Sequence, residues 1–184
     1  MVQQLLERLV NQGLQLHTHT PVTQVSATRD QKGFWVVSTP RGTLKARKVV
    51  FCTNAYTPSV LPQYKNKIIP VRGVCSHISS PKGKQTPHLT STYSVRFDRL
   101  QYDYLIPRPD GSIIVGGARQ AFWHDKDAWW NNLRDSEQVI GTDKYFQDYM
   151  QRYFHGWEGS QAELNHIWTG SKASQNPYSS KSES

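Results

Sequence analysis

His17 and His19 form an H-x-H pair within LQLHTHTPVTQV. If that stretch is a strand, residues i and i+2 face one side, and the two imidazoles could share a metal ion. Only distant histidines could supply a third ligand, so a pair of exposed strand histidines is the simpler reading. Cys52 is a nucleophile by residue type, but it follows Val49, Val50 and Phe51 and has no sequence-local base or cation to lower its pKa. Its surroundings favour a packed thiol. Cys75 has His77 two residues on, with nothing in the sequence to orient the pair, so it too reads as structural. Gly116-Gly117 end the apolar run SIIV, where glycine serves either a turn or the close approach of another group. Both readings stay open. Neither G-x-G-x-x-G nor G-x-x-x-x-G-K-[ST] occurs, so no phosphate cradle can be recognised.

The chain has 184 residues, enough for one domain or parts of two. Hydrophobic residues make up 36% and aromatics 11%, which supports a packed core. Lys+Arg is 22 against 14 Asp+Glu, a net charge of +8, but the basic residues are scattered rather than run together. Base stacking by the aromatics would suit a single-stranded nucleic acid. Tyr145, Phe146, Tyr149, Met150, Tyr153 and Phe154 instead keep helical core spacing, and the tryptophans are not interleaved with cations. A nucleic-acid partner is therefore not expected. No apolar run reaches 18 residues, so no membrane span is expected, and the N-terminus lacks the apolar core of a signal peptide. Two cysteines in apolar surroundings fit a reducing compartment, and a cytoplasmic location is expected.

The elements that must position these residues follow in order. Leu5, Leu6, Leu9 and Val10 predict a helix closed by Gly13. Residues 14–30, FWVVSTP and TLKARKVVFCT predict a three-segment meander with turns at Asp30–Gly33 and Pro40–Gly42. The unalternating VVFCT predicts burial on both faces in a parallel sheet. KIIPVRGVCSHISS predicts a long strand, and YDYLIPRPDGSIIVGG a hairpin turning at Asp110-Gly111. AFWHDKDAWWNNLRD reads as irregular, residues 145–154 as one amphipathic helix, and AELNHIWTG as a further strand. The last 14 residues, SKASQNPYSSKSES, hold six serines and are expected to stay disordered.

RKVVFCTNAYTP poses a separate question, because three large apolar residues give way to Cys52, Thr53, Asn54 and Ala55 before Tyr56. Small residues at a strand's carboxyl end allow something bulky to pass close to the backbone.

The series of elements and their motifs resembles FAD-dependent oxidoreductases of the D-amino-acid oxidase and sarcosine oxidase-like superfamily, in their middle and late parts. The likeness runs through Thr-Pro-Val (20–22), A-R-K-V-V-F-C-T-N-A-Y-T, P-V-R-G (70–73), Y-x-x-P-R-x-D-G-x-x-x-x-G-G (104–117) and H-I-W-T-G (166–170). It covers residues 1 to about 170. The resemblance implies FAD as cofactor and oxidation of a C–N bond of a small-molecule amine or amino acid, a hydride passing to the flavin. It implies cofactor contacts at Pro21 and Val22 (adenine) and at Cys52, Thr53, Asn54, Ala55 and Tyr56 (adenosine and pyrophosphate). Asn54 stands for a usual glycine, which its tolerance of left-handed backbone permits. On the substrate side, the resemblance implies that Tyr104 lines the pocket, with Arg108, Gly116 and Gly117 near it. A guanidinium at Arg108 could hold a substrate carboxylate. Ile114 and Ala118 stand where sarcosine oxidase-like members carry basic residues, which points away from a sarcosine-type pocket.

The expected fold is thus mixed α/β: a partial FAD-binding domain with a β-meander over residues 1–62, then an antiparallel-sheet substrate domain with a helix over 63–158. A return strand over 159–170 and a Ser-rich tail over 171–184 follow. The family's N-terminal βαβ unit has no counterpart in the sequence. The expectation is therefore a fragment that is inactive alone and needs a missing complementary segment. The alternative is a non-catalytic, basic, β-rich binding domain.

Overall fold

The computed structural model describes residues 2–84, 86–99 and 101–175. The architecture is mixed α/β with two antiparallel sheets, as expected. Two compact units divide the chain: Met1–Cys52 with Ser59–Pro62, and Thr53–Pro58 with Gln63–Ser184.

The first unit opens with α1 (Val2–Asn11), closed by Gly13 at φ 102°. No residue of α1 is buried, and Val2, Leu5, Leu9 and Val10 keep substantial exposure. Strands β1 (Gln24–Val25), β2 (Trp35–Thr39) and β3 (Gly42–Ala46) form the meander in the order β1-β2-β3. Asp30 organises its first turn. The Asp30 carboxylate accepts the backbone N–H groups of Lys32 and Phe34 and pairs with Lys45 at 2.9 Å.

Two expectations fail in this unit. Residues 14–23 form no ladder; a turn falls at Thr18-His19, with His19 at φ 51°. The H-x-H pair therefore does not lie on a strand. Val49–Cys52 is not a strand either, and Val50 is 82% exposed. An apolar run patterned for two-sided burial needs ladder neighbours, and the described residues offer none there.

The second unit is built on a five-stranded antiparallel sheet of order β5-β6-β7-β4-β8. Its strands are β4 (Ile68–Ser79), β5 (Tyr93–Arg96), β6 (Tyr102–Pro107), β7 (Ile113–Gly117) and β8 (Glu163–Gln175). Strand β4 is its axis, pairing with β7 from Val74 to Ile78 and with β8 along its whole length. Pro70 falls where β4 pairs with β8 alone, so β7 needs no donor from it.

One face of the sheet carries the core. Val74, Ile78, Leu105, Ile113, Val115 and Ile167 pack against Phe122, Trp129, Val139, Phe146, Tyr149, Met150 and Trp157. Short helices supply that cover, α3 (Arg119–Phe122) and α4 (Lys126–Trp129) forming the irregular aromatic segment; α2 (Thr57–Val60), after a 3-10 turn at Asn54–Tyr56, has no buried residue. The expected helix over 145–154 is two helices, α5 (Thr142–Phe146) and α6 (Tyr149–Tyr153). Gln147 takes ψ 133° and Asp148 φ 52°, and the Arg152 guanidinium donates to the carbonyls of Tyr145 and Gln147. Those bonds satisfy carbonyls that a continuous helix would have used. Both halves keep their apolar side inward, as the spacing required.

The return strand also runs further than expected. It continues to Gln175, because β4 offers ladder partners as far as Ile68. Backbone pairing does not depend on apolar side chains, so the serines of 171–175 take strand geometry. Residues 176–184 of the expected tail lie outside the described residues.

Candidate functional site

The face of the sheet opposite the core bears a row of directly paired residues: Ser94, Tyr104, Gly116, Cys75 and Trp168. Two small residues, Gly116 and Cys75, separate the large Tyr104 and Trp168. Gly116 explains the arrangement, because a Cβ there would lie 2.1 Å from Tyr104 Cζ. The ring of Tyr104 lies across Gly116, and its hydroxyl sits 2.9 Å from Cys75 Sγ. Burial, then the bond to the thiol, pushes the Tyr104 phenol well above its ordinary value.

Gly117 is needed for a different neighbour. It stands at φ 139°, and a Cβ would come within 2.1 Å of Asp103 Oδ1. Asp103 is 2% exposed. Its Oδ1 accepts the Ala118 N–H, and its Oδ2 accepts the phenols of Tyr145 (2.7 Å) and Tyr149 (2.9 Å). Burial and the adjacent carboxylate hold both phenols protonated far above the usual tyrosine range. Ala118 sits in the left-handed region at φ 56°, and this turns the chain out of β7 into α3. Both glycines thus answer the close-approach reading, and the approaching groups are the protein's own side chains.

That turn delivers Arg119 to a cavity of about 310 Å³. Tyr102, Tyr104, Phe122, Trp123, Trp129 and Trp168 contribute to its lining, with Cys75, Arg72 and Lys172. Trp123 and Trp129 stack with centroids 3.9 Å apart, and Arg119 lies over Trp123 at 4.6 Å. A flat, rigid, apolar wall with a guanidinium at its edge suits a small ligand bearing an anionic group.

The expected substrate residues separate. Tyr104 lines the cavity, whereas Arg108 sits at the β6–β7 turn, 3.7 Å from Asp110, and lines another hollow with Lys84, His88 and Trp157. Arg119 carries no motif of its own in the sequence, although it follows Ala118 directly; the left-handed step at Ala118 brings it round. Trp123 and Trp129 lie in the segment that read as irregular, and Trp168 in one that read only as a strand. The alternation of His166 and Trp168 with buried Ile167 was the available signal.

The expected cofactor contacts divide between the two units. Pro21, Val22 and Cys52 are exposed residues of the first. In the second, Ala55 is fully buried, and Asn54 takes the left-handed conformation expected of it (φ 45°). Asn54 Oδ1 accepts the Ala173 N–H at 2.7 Å, and the Tyr56 phenol donates to Asp135. The Thr53 and Thr57 hydroxyls bond each other at 2.9 Å. The bond to Asp135, with partial burial, raises the Tyr56 pKa.

Comparison with known proteins places this architecture among flavin-dependent oxidoreductases. The chain belongs to the DAO family of FAD dependent oxidoreductases, whose family model matches residues 1–182. Glycine oxidase from Geobacillus kaustophilus is similar in structure, with a TM-score of 0.61 at 19% identity over 90% of this chain. CmlS, a flavin-dependent halogenase, is similar with a TM-score of 0.57 at 18% identity over 95% of this chain. The chain spans 39% of the glycine oxidase and 31% of the halogenase. No curated protein matches it.

FAD is the cofactor this family implies. A pyrophosphate calls for clustered backbone N–H groups at a glycine-rich turn opening a helix. Among the described residues no such turn exists, and the side chains of Asn54, Thr53 and Tyr56 are engaged within the protein. The residues present do not fit the phosphates of FAD. No helix of the described residues is long and apolar enough to cross a membrane, and none of their His, Cys, Asp and Glu groups forms a metal cluster.

Proposed function

We propose that this chain forms the substrate-side part of an FAD-dependent oxidoreductase that oxidises a C–N bond of a small amine or amino acid. The cavity carries this reading. Tyr104, fixed across Gly116 by Cys75, forms one wall; the stacked Trp123 and Trp129 form another; Arg119 holds the substrate carboxylate. Asp103 orients both sides of the site, since it precedes Tyr104 and anchors the turn that carries Arg119. Arg108, paired with Asp110 away from the cavity, has no part in it. Contacts of Pro21, Val22 and residues 52–56 with FAD would run through backbone and concern the adenosine half, the phosphates being held by a complementary segment. Two unpaired cysteines support a reducing, cytoplasmic setting.

The test is a titration of the 184-residue chain with glycine and alanine, following tryptophan fluorescence. The expected result is a saturable change that Arg119→Ala abolishes, with no turnover by the chain and added FAD alone. Absence of a saturable response to any amine or amino acid overturns the reading.

A further inference from the structure

The cavity is larger than an amino group and a carboxylate require. Its volume of about 310 Å³ is that of a pocket enclosing a whole small molecule, and glycine or alanine would leave most of it empty. Its floor is the sheet face opposite the core. Alternation along β4 and β8 turns Val71, Gly73 and Cys75 to that face and sets Lys172, Gly170 and Trp168 beside them. Gly73 and Gly170 pair directly in the middle of this block, and both line the cavity.

Nothing among the described residues requires glycine at either position. Neither has a positive φ. A Cβ at Gly170 would meet no atom within 4 Å, and one at Gly73 would meet only the Gly170 carbonyl oxygen at 3.9 Å, an ordinary contact. Gly116 and Gly117 differ, because side chains of the protein fill the space beside them. Glycine weakens a strand interior, and a glycine pair with no part in packing or turning marks a place where an outside group approaches the backbone. The surroundings define that group. Trp168 borders the pair, and Tyr104 and Trp123 continue an aromatic rim. Trp168 is 38% and Trp123 44% exposed, so each keeps ring surface free for contact.

We infer that the site is specific for an amine or amino acid with a flat aromatic side chain, and that Gly73 and Gly170 set this specificity. This rests on the cavity being the substrate site. The ring lies on the bare backbone of the two glycines, beside Trp168, and a methyl group at either position lifts it from the floor. A flat ring touches such a floor over its whole face, whereas a puckered aliphatic ring touches it at fewer points.

Phenylalanine, cyclohexylalanine and alanine, each as the racemate, test the inference in titrations of the full chain followed by selectively excited tryptophan fluorescence. Phenylalanine should bind at least about tenfold tighter than alanine, as burial of a ring face requires. It should also bind tighter than cyclohexylalanine, which a merely apolar cavity would prefer. With Gly73→Ala and Gly170→Ala combined, phenylalanine should lose at least about tenfold and alanine less than about threefold. The thermal midpoint of that variant should stay level or rise. If phenylalanine and alanine bind alike and Arg119→Ala weakens both, the inference falls while the amino-acid site stands. If none of the three binds, both fall. Tightest binding by cyclohexylalanine, or a lowered thermal midpoint of the double variant, also overturns the inference. If riboflavin, followed by its own fluorescence, loses binding in the variant while phenylalanine does not, the floor serves a flavin ring and the inference falls.

Discussion

Replacing Gly116 with alanine sets one methyl group against one ring. The new Cβ would lie 2.1 Å from Tyr104 Cζ and 2.2 Å from its hydroxyl oxygen, distances no pair of non-bonded heavy atoms holds. The strand pairing of Gly116 with both Cys75 and Tyr104 resists movement of the backbone, so the ring must leave. Tyr104 is 38% exposed, and a free rotation into water would uncover about 120 Å² of ring, or about 3 kcal/mol at roughly 25 cal/mol/Å². Loss of the bond to the Cys75 thiol adds about 0.5–1.5 kcal/mol. Tyr102 and Ile106 lie on the same face of β6 and offer the displaced ring a partial refuge. The expected cost is therefore about 1–3 kcal/mol in urea unfolding. Two further signals should accompany it. The Tyr104 phenol, freed from burial and from the thiol, should titrate closer to the ordinary 10.0. In a Cys52→Ser background, which removes the exposed thiol, Cys75 should react faster with a thiol reagent. The decisive control is Gly116→Ala in a Tyr104→Ala background, where the methyl group meets no ring and should cost almost nothing. Equal costs in the two backgrounds would refute the steric account.

Asp103→Ala strands the Ala118 N–H, the buried phenol of Tyr149 and the half-buried phenol of Tyr145, and should cost at least about 3 kcal/mol by urea midpoint; a loss below about 1 kcal/mol would show that the three donors find other partners. Gly117→Ala meets both a positive φ and the Asp103 carboxylate, so it should destabilise more than Gly116→Ala, and circular-dichroism melting ranks the two. Tyr104, Tyr145 and Tyr149 all hold their protons more tightly folded than unfolded. Their contribution is complete below about pH 10 and is lost as pH rises beyond it, so thermal stability should fall on the alkaline side with ionisation of these phenols. A triple-phenylalanine variant with an unchanged alkaline limit would remove them as its cause.

The elements with strong local signals were readable from sequence. The hairpin around Asp110-Gly111, the strand through Cys75 and the strand through Trp168 are set by alternation and turn chemistry, and the structure has all three. Asn54 in the left-handed region was legible from residue type. Failures came where the outcome depends on distant partners. Val49–Cys52 has the composition of a buried strand, but composition supplies no ladder. Residues 145–154 keep an unbroken apolar periodicity, and the break at Gln147–Asp148 is paired with a guanidinium at Arg152, which periodicity does not register. The site divides in the same way. Tyr104 and the two glycines followed from motif and strand position. Arg119 depended on a left-handed alanine, a conformation that residue type argues against, held there by a buried carboxylate 15 residues earlier in the chain.

Strand β4 waits for its second neighbour until much later in the chain. Its neighbour β7 follows soon after it, but β8 begins only at Glu163 and covers Ile68 last, through Gln175. On a ribosome the nascent sheet therefore presents β4 as an open edge from the time it emerges until residue 175 has followed. Through that interval a row of unpaired amides flanked by Ile69, Val71 and Val74 is open to any extended chain nearby, and a chaperone that shields exposed strands would find its target there. The vulnerability is one of timing: a pause in translation between β7 and β8 prolongs it, even though the finished fold retains no trace of it.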